Sequence, residues 1–242
     1  MSEDIAKFNA ANAALDFIKD GMVVGLGTGS TSASFVRQLG ERVRQGLRVK
    51  GVPTSEATRA LAEQVGVPLL DISQIASIDI DVDGADEVDP AFRLIKGGGG
   101  ALLREKIVAA ASKHMVVIAD ESKWVETLGA FPLPVEVSRF GFALTQARIQ
   151  EALRFTGCTS DEARLRTSGK ANEPVVTDGG NYILDAHAKR IPDAEVLGVA
   201  LKQIAGVVEH GLFIGLAHTV ILGKAKGADI RQSAVGSRQS GD

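Results

Sequence analysis

The sequence predicts an α/β fold: a mostly parallel, Rossmann-like sheet with helices on both faces, plus a small inserted α+β domain of ferredoxin-like order. Short apolar runs alternate with segments whose apolar residues recur at helical spacing, which is the pattern of successive βα units. Three of the apolar runs are followed or overlapped by glycine-rich or acidic segments, as expected where parallel strands end at one edge of a sheet. A change of this rhythm near residue 131 predicts the inserted domain.

The first half of the chain predicts helices and strands in alternation. The first helix is predicted from the helical spacing of four apolar residues, Ile5, Phe8, Leu15 and Ile18. Gly21 follows them, and glycine commonly ends helices. The elements that follow are a strand over 22–26, a helix over 31–45, a strand over 47–52, a helix over 55–64 capped by Thr54 or Ser55, and strands over 78–82 and 115–118 around Lys96 and its helix. This alternation favours a parallel sheet covered by helices.

The second half of the chain has a different order of elements, and the segment Phe131-Pro-Leu-Pro134 marks the change. Strands are predicted over 135–137, 165–167 and 182–185, and helices over 143–155 and 194–204. We therefore predict a small α+β domain over 131–205 within a main domain of residues 1–130 and 206–242. A strand over 207–214 is predicted to return to the main domain, and the polar tail beyond Arg231 is predicted to fray.

Composition and charge argue against several classes of protein. The 242 residues are 45% apolar and carry a net charge of -3, which gives no basic surface for nucleic acid. No stretch approaches the length of a membrane span, and Asp4 and Lys7 interrupt the apolar residues where a signal peptide would lie. Cys158 is the only cysteine, which excludes an internal disulfide and fits a reducing compartment. We expect a cytoplasmic protein with no membrane or nucleic-acid partner.

A glycine-rich loop follows the first predicted strand and leads into a helix. Gly27 and Gly29 allow the backbone to approach an anion closely, and Thr28, Ser30 and Thr31 add hydroxyl donors. The next helix would point its positive dipole end at the same place. The spacing fits neither a Walker A motif nor a full Rossmann fingerprint. The pattern favours an anion site, and a strand-to-helix turn without a ligand is the alternative.

Aspartates alternate with apolar residues in the strand predicted over 78–82. Asp79, Asp81 and Asp83 share the strand period, and Asp86 follows the turn at Gly84. A central parallel strand is normally apolar on both faces, so carboxylates at its end require an explanation. A divalent metal is one alternative, but no histidine or further acidic cluster supports it. We predict no metal and no cofactor, and for Asp79 we favour capping of a turn or pairing with a base.

Lys96 precedes four glycines, which free the backbone to wrap a polar ligand or to supply oxyanion donors. Glu105 follows in the next helix, where its neighbours one turn away are apolar. Burial there would raise the pKa of the carboxyl and suit a general base. Arg104 and Lys106 have similarly apolar neighbours, so an ordinary helix salt bridge is the alternative.

The histidines and the cysteine carry no catalytic pattern. The histidines lack ligand spacing and a partnered serine or cysteine, so surface or satisfied core positions are favoured: His114, His187, His210 and His218. Cys158 lies in a turn-like stretch and is interpreted as incidental.

Five segments, in this order and spacing, resemble the type A family of ribose-5-phosphate isomerases. They are Gly27-Thr-Gly-Ser-Thr31, Asp83-Gly-Ala-Asp86, Lys96-Gly-Gly-Gly99, Arg104-Glu-Lys106 and Asp120-Glu-Ser-Lys123. The resemblance continues through Thr177–Asp185 and Gly211–Phe213, and so covers most of the chain. It implies interconversion of ribose 5-phosphate and ribulose 5-phosphate in the pentose phosphate pathway, without a cofactor.

The resemblance also implies roles for individual residues. Glu105 matches the base that moves a proton between C2 and C1 through an enediolate, and Lys96 with the glycine backbone would stabilise the oxyanion. Asp83 and Asp86 would orient sugar hydroxyls and assist ring opening or proton exchange. The remaining substrate-binding positions that the resemblance implies are Lys7, Thr28, Gly29, Ser30, Thr31, Gly84, Ala85, Gly97, Gly98, Gly99 and Lys123.

The family resemblance further implies a homodimer or homotetramer in which the small domain supports assembly. Two other functions remain as alternatives at this point. One is a related enzyme, such as an amino-sugar phosphate isomerase-deaminase or a lactonase, which would be expected to use a histidine. The other is a sugar-phosphate sensor domain of a regulator, which would usually carry a DNA-binding helix pair. The N-terminal segment has room for one helix only.

Overall fold

The computed structural model describes residues 2–169 and 172–233. The helices in these ranges are α1 (Ser2–Ala14), α2 (Ser30–Arg44), α3 (Glu56–Val65), α4 (Leu102–Ala111), α5 (Phe142–Phe155) and α6 (Ala194–Lys202). The strands are β1 (Val23–Leu26), β2 (Lys50–Pro53), β3 (Ile80–Gly84), β4 (Glu87–Val88), β5 (Leu94–Ile95), β6 (Met115–Asp120), β7 (Leu133–Val137), β8 (Glu162–Leu165), β9 (Thr167–Ser168), β10 (Glu173–Pro174), β11 (Tyr182–His187), β12 (Val207–His210), β13 (Leu212–Phe213), β14 (Thr219–Gly223) and β15 (Ala228–Gln232).

The chain forms two compact units. The first comprises the described residues of 1–85, 107–124 and 215–242, and the second comprises those of 86–106 and 125–214. The sequence predicts a catalytic domain of residues 1–130 and 206–242 and a small assembly domain of residues 131–205. This division, with the roles it assigns, stays a prediction.

The first unit contains a six-stranded sheet in the order β15-β14-β6-β3-β1-β2. Its strand pairs are parallel except for β14 with β15. Val24 and Leu26 of β1 pack with Phe35 and Leu39 of α2 in one core cluster, whereas Val23 of the same strand packs against Val108 of α4. Because successive strand residues point to opposite faces, this alternation covers both faces of the sheet with helices. The predicted α/β class is confirmed.

The register of the parallel strands brings their carboxyl ends to one edge of this sheet. Leu26 of β1 pairs with Val82 of β3, and Asp83 pairs with Val117 of β6. Glycine is required where the loop after β1 crosses β3, since a Cβ on Gly27 would lie 2.0 Å from the Asp83 carboxylate. The loops that follow β1, β3 and β6 therefore leave the sheet side by side.

The second unit contains a four-stranded antiparallel sheet in the order β12-β7-β11-β8. Ile149 and Leu153 of α5 and Leu197 and Leu201 of α6 pack with its strands in one buried cluster. A three-stranded sheet, β13-β5-β4, carries the segment that leads to Lys96. Strands and helices in this order form the α+β unit that the second half of the sequence predicts.

The structure differs from the predicted elements in several places: β4, β5 and β10 were not predicted, and the predicted strand over 165–167 is divided between β8 and β9. The first helix stops at Ala14 and is followed by a 3₁₀ helix, Leu15–Phe17. The predicted strand over 207–214 is two strands: β12 pairs with β7, and β13 pairs with β5. Gly211 divides them, because its backbone approaches so closely that a Cβ would lie 2.2 Å from the Lys96 carbonyl oxygen. Strands β14 and β15 were not predicted.

Two further predictions concern the helix caps and the C-terminal tail. Ser55, one of the two candidates, caps α3 by accepting a hydrogen bond from the Thr58 N–H. The tail predicted to fray begins within β15, and its residues 234–242 lie outside the described ranges. No helix in the described part of the chain is long and apolar enough to cross a membrane.

Candidate functional site

The predicted anion loop lies in the first unit, between β1 and α2. Gly29 precedes α2 with φ +114°, a conformation that favours glycine, and Ser30 and Thr31 are the first helical residues. Gly29 and Ser30 are exposed, and Thr31 is half-buried. The first turn of a helix presents backbone N–H groups without helical partners, so this loop offers donors and the positive end of a helix dipole to an anion.

A hydroxyl cluster lies beneath this loop and comprises Thr28, Thr54, Ser55 and Thr58. The Thr28 Oγ1 donates to Ser55 Oγ at 2.8 Å and lies 2.8 Å from Thr54 Oγ1 and 3.2 Å from Thr58 Oγ1. Thr54 and Thr58 in turn donate to backbone carbonyls of the β1 end at 3.0 Å. The cluster fixes the loop from below. From the sequence, Thr54 and Ser55 are predicted only as candidate helix caps, and no local pattern indicates Thr58.

Asp83 organises the end of β3 and is fully buried. Its Oδ1 accepts hydrogen bonds from the Thr28 N–H at 3.1 Å, the Ser32 hydroxyl at 3.2 Å and the Gly84 N–H at 2.7 Å. Gly84 ends the strand, and Ala85 after it is half-buried. The carboxylate therefore joins the predicted binding loop to the Asp83-Gly-Ala-Asp86 segment.

The other strand aspartates have different surroundings. Asp79 pairs with Lys113 at 2.8 Å and accepts the Val23 N–H at 2.9 Å, as favoured from the sequence. The Lys113 hydrogen bond and the Val23 N–H lower the pKa of Asp79. Asp81 is fully buried within β3. Among the residues that the structure describes, no group of three or more histidines, cysteines or carboxylates is arranged to hold a metal ion.

The two lysines predicted to bind substrate from the first unit lie on separate elements. Lys7 is in α1, where its Nζ is 2.6 Å from Glu3. Lys123 ends a 3₁₀ helix, Glu121–Lys123, that follows β6, and it is half-buried. Asp120 caps this short helix by accepting the Ser122 N–H. Lys123 therefore stands at the same sheet edge as the loop after β3, whereas Lys7 is held one helical turn from Glu3.

The glycine loop of residues 97–100 lies in the second unit, directly after Lys96. The Gly98 N–H donates to Oδ2 of Asp86 at 2.7 Å. Gly98 and Gly99 are exposed, so their backbone is accessible to a ligand. A Cβ on Gly98 would lie 2.5 Å from the Asp86 carboxylate, which explains the need for glycine. Asp86 and the glycine loop are thus in direct contact.

Lys96 and Glu105 form a buried ion pair in the second unit. Lys96 Nζ lies 3.4 Å from Glu105 Oε1, and the two side chains are only 2% and 4% exposed. Glu105 is in the first turn of α4, where a carboxylate is stabilised by the helix dipole. Lys96 Nζ also lies 5.4 Å from the centre of the buried Phe213 ring. Two opposite charges removed from water in this way are typical of a functional site.

A second lysine packs against Phe213 and belongs to a different network. Lys106 Nζ lies 5.0 Å from the centre of that ring and 2.8 Å from Glu209, and it donates to the His210 carbonyl oxygen. Burial favours protonated Glu209, but its hydrogen bonds with Lys106, His210 N–H and Lys202 outweigh this and lower its pKa to about 2. Burial and the Lys106 charge lower the pKa of His210 to about 3. His210 is thus a buried, hydrogen-bonded core histidine, as favoured from the sequence.

The geometry supplies two complementary sets of groups. The first unit presents hydroxyls, backbone donors and a helix N-terminus, which suit an anion such as a phosphate group. The second unit presents a carboxylate beside a lysine and a glycine loop, which suits proton transfer with stabilisation of a developing oxyanion.

The chain is similar in sequence to known proteins along most of its length. Residues 50–227 match the family model described as ribose 5-phosphate isomerase A (phosphoriboisomerase A). The chain is 59% identical over 215 residues to ribose-5-phosphate isomerase A of Maricaulis maris, covering 89% of this chain and 92% of the relative. It is 58% identical over 227 residues to the protein of that name from Rhodopseudomonas palustris, covering 94% and 97%.

Solved structures extend the similarity to the fold. A D-ribose-5-phosphate isomerase in complex with phospho-erythronic acid superposes with a TM-score of 0.88 at 40% identity, covering 96% of this chain and all of the other. Ribose 5-phosphate isomerase A from Methanocaldococcus jannaschii superposes with a TM-score of 0.85 at 41% identity, covering 94% and 98%. On this evidence the chain belongs to the ribose 5-phosphate isomerase A family and interconverts D-ribose 5-phosphate and D-ribulose 5-phosphate.

Proposed function

We propose that this chain carries out the isomerisation through an enediolate, with Glu105 as the base. The carboxylate takes the proton from C2 of the open-chain aldose, and the electron pair forms a C1–C2 double bond while the carbonyl oxygen on C1 becomes an oxyanion. Return of the proton to C1 and transfer of the O2 proton to O1 give the ketose. The observation that carries the proposal is the buried Glu105 carboxylate beside the Lys96 ammonium.

Lys96 and the glycine loop stabilise the oxyanion in this proposal. The ammonium supplies a full positive charge in a water-poor place, where electrostatic interactions are strongest. Gly97, Gly98 and Gly99 supply backbone donors, and Gly98 and Gly99 are exposed to a ligand. Each well-placed donor to an oxyanion commonly contributes about 3 kcal/mol to the transition state. The positive charge comes from a side chain, so the proposal includes no metal ion and no cofactor.

Asp83 and Asp86 orient the sugar hydroxyls and assist ring opening and the exchange of protons between O1 and O2. Both carboxylates are held by backbone N–H groups, from Gly84 and Gly98 respectively. Backbone donors of this kind fix the orientation of a carboxylate more rigidly than a flexible side chain does. The intervening Gly84 and Ala85 contribute backbone contacts to the substrate.

The anion loop binds the substrate through the hydroxyls and backbone of Thr28, Gly29, Ser30 and Thr31. The N-terminus of α2 and the exposure of Gly29 and Ser30 support this assignment. Lys123 and Lys7 add positive charge for the phosphate group. Lys7 would have to exchange its contact with Glu3, a carboxylate that is 66% exposed and therefore holds the ammonium weakly.

Solvent isotope exchange tests the proposed chemistry. Ribose 5-phosphate is incubated in D₂O with the EDTA-treated protein and followed by proton NMR. Ribulose 5-phosphate carrying deuterium at C1 is the expected result, because a carboxylate base exchanges its proton with solvent. Loss of turnover on EDTA treatment, restored by added metal, would contradict the metal-free mechanism. Binding of ribose 5-phosphate without any exchange would contradict catalysis by these residues.

We also propose that the chain forms a homodimer or homotetramer through the small domain and acts in the cytoplasm, without a nucleic-acid or membrane partner. Large apolar side chains are exposed on and beside α5: Phe140 by 93%, Leu144 by 78% and Phe155 by 85%. Exposed apolar groups of this size on one helix face are typical of an interface between subunits. Sedimentation velocity of wild-type protein and of Leu144→Asp and Phe155→Asp tests this. A wild-type monomer would contradict it.

A further inference from the structure

Arg166 and Asp185 form a part-buried ion pair against the glycine loop that follows Lys96. The guanidinium donates from Nε and Nη2 to both carboxylate oxygens of Asp185. Its Nη1 donates to the carbonyl oxygens of Gly97 and Gly98, at 2.9 and 3.0 Å. The side chains of Arg166 and Asp185 are only 15% and 18% exposed. The planar guanidinium therefore hydrogen-bonds to the carboxylate on one side and to the loop on the other with little competition from water.

These contacts determine where the loop directs its N–H groups. In a trans peptide the N–H points away from the C=O of the same peptide plane. Holding the Gly97 carbonyl therefore directs the Gly98 N–H, which donates to Asp86. Holding the Gly98 carbonyl directs the Gly99 N–H in the same way. One side chain thus orients two successive backbone donors.

The glycine loop has one hydrogen bond of its own, from the Gly100 N–H to the Gly97 carbonyl oxygen at 3.0 Å, and its backbone conformation requires further support. Gly97 and Gly100 have φ values of +100° and +86°, which side-chain-bearing residues rarely adopt. A Cβ on Gly98 would lie 2.5 Å from Asp86. The loop is therefore restricted to glycine, the residue with the greatest backbone freedom, and the contacts of Arg166 add a restraint from outside the loop.

We propose that Arg166 is a positioning residue for the isomerisation: together with Asp185 it holds the glycine loop so that the Gly98 N–H fixes Asp86 and the Gly99 N–H faces the oxygen on which charge develops. This inference rests on the proposed function, in which the loop helps to stabilise the oxyanion. The charge of Arg166 is balanced by Asp185, so its contribution is geometric. Lysine keeps the charge but lacks the planar fork, and it cannot replace this arginine.

Steady-state kinetics of Arg166→Lys and Asp185→Asn test the proposal, with Arg164→Lys as the matched control. Arg164 lies in β8, two residues away, and pairs with Glu162 on the surface. We expect Arg166→Lys to lower kcat about 10- to 100-fold with little change in KM, since misplaced donors weaken the transition state more than the ground state. Asp185→Asn should show a smaller fall in kcat, and Arg164→Lys should match wild type. Hydrogen exchange of a peptide spanning residues 96–102 should be faster in Arg166→Lys before substrate is added.

The possible outcomes separate this inference from the proposed function. A folded Arg166→Lys protein with kcat within about 2-fold of wild type would overturn the positioning role, as would a loss confined to KM or to the melting temperature. If Arg166→Lys does not fold, Asp185→Asn decides by the same criteria. Glu105→Gln is measured in the same assay: if it stays active, the proposed function fails. If it is inactive while Arg166→Lys is normal, the inference about Arg166 fails alone.

Discussion

The anion loop with its hydroxyl cluster and the Lys96–Glu105 pair represent two ways of preparing a protein surface for a ligand. The loop presents neutral groups, and Thr28 reaches three other hydroxyls within 3.2 Å. The pair instead buries two charges to 2% and 4% exposure. Hydroxyls and backbone amides adapt to an anion at little cost, whereas buried charges cost several kcal/mol of desolvation before their attraction is counted. The comparison supports the proposal that the loop provides binding and the pair provides chemistry.

A neighbouring network shows that burial of a lysine–glutamate pair does not by itself imply chemistry. Lys106 follows Glu105 directly, and its partner Glu209 lies at 2.8 Å and also accepts a hydrogen bond from Lys202. Three further contacts to His210 complete that network. The longer 3.4 Å separation of Lys96 and Glu105, beside exposed glycines, distinguishes the proposed catalytic pair from this structural one.

The largest expected effect on activity is that of Glu105→Gln. If this substitution leaves activity unchanged, the proposed difference between the anion loop and the Lys96–Glu105 pair is wrong. The amide keeps the shape of the side chain but cannot accept the C2 proton, so kcat should fall about 10²- to 10⁴-fold with KM nearly unchanged. Stopped-flow or coupled assays of ketose formation measure both constants. Glu136→Gln is the matched control, since Glu136 is 1% exposed and bonded to Thr177 and Asn181. Turnover of Glu105→Gln close to that of the control would remove Glu105 as the base.

Thr28→Val tests the other side of the comparison. It removes one hydroxyl and its contacts in the cluster while keeping the volume of the side chain. We expect KM to rise about 10-fold and kcat to change less, because a ground-state hydrogen bond contributes about 1.5 kcal/mol. Thr156→Val, which removes a helix-end hydroxyl bonded to Ala152, is the control. An equal fall in kcat with constant KM would assign Thr28 to the chemistry.

Lys123→Ala tests whether a charged residue at the sheet edge of the first unit contributes to substrate binding or to the chemistry. Removal of the ammonium should raise KM several-fold, by about 5-fold for a half-exposed charge contact, and lower kcat less. Lys113→Ala controls for the general loss of a surface lysine, because Lys113 pairs with Asp79 and is 65% exposed. A kcat effect larger than the KM effect would place Lys123 in proton transfer.

The smallest expected effect on activity is that of His210→Gln, which tests the structural network. His210 has a folded pKa of about 3, below its ordinary 6.5, so its contribution to stability is present above pH 6.5 and is lost as the pH falls toward 3. Glu209, lowered from 4.5 to about 2, adds a loss at lower pH. From pH 7.5 to 5, wild type should lose about 2 kcal/mol more unfolding free energy than His210→Gln.

Urea unfolding at fixed protein concentration measures this difference, and kcat at pH 7.5 should change little. An identical pH dependence of stability in the two proteins would show that the folded His210 is not kept neutral. A large fall in kcat would instead join the Lys106–Glu209 network to the chemistry.

The sequence predicts individual strands better than it predicts contacts between residues that are far apart in the chain. The strand that precedes Thr28 and the strand that contains Asp83 were predictable because apolar runs and turn residues are local signals. The hydroxyl cluster was not, since Thr54, Ser55 and Thr58 lie 26 to 30 residues from Thr28 and meet it only through the parallel pairing of β1 and β2. Arg166 is 69 residues from Gly97, and no local pattern connects them.

The division of residues 207–214 into two strands shows the same limit. The apolar run over this segment predicts one strand, but the close approach of Gly211 to the Lys96 backbone decides where it divides. Such an approach depends on a partner strand far away in sequence. β14 was missed although its residues, Thr219–Gly223, form the short apolar run that is typical of a buried strand.

The central claim is that Glu105 moves the proton while the anion loop binds the substrate, and one measurement tests it most directly. Glu105→Gln protein is titrated with phospho-erythronic acid by calorimetry, and the same preparation is incubated with ribose 5-phosphate in D₂O. The account predicts an affinity close to that of wild type together with a loss of deuterium incorporation at C1. Deuterium incorporation at the wild-type rate by Glu105→Gln would contradict it.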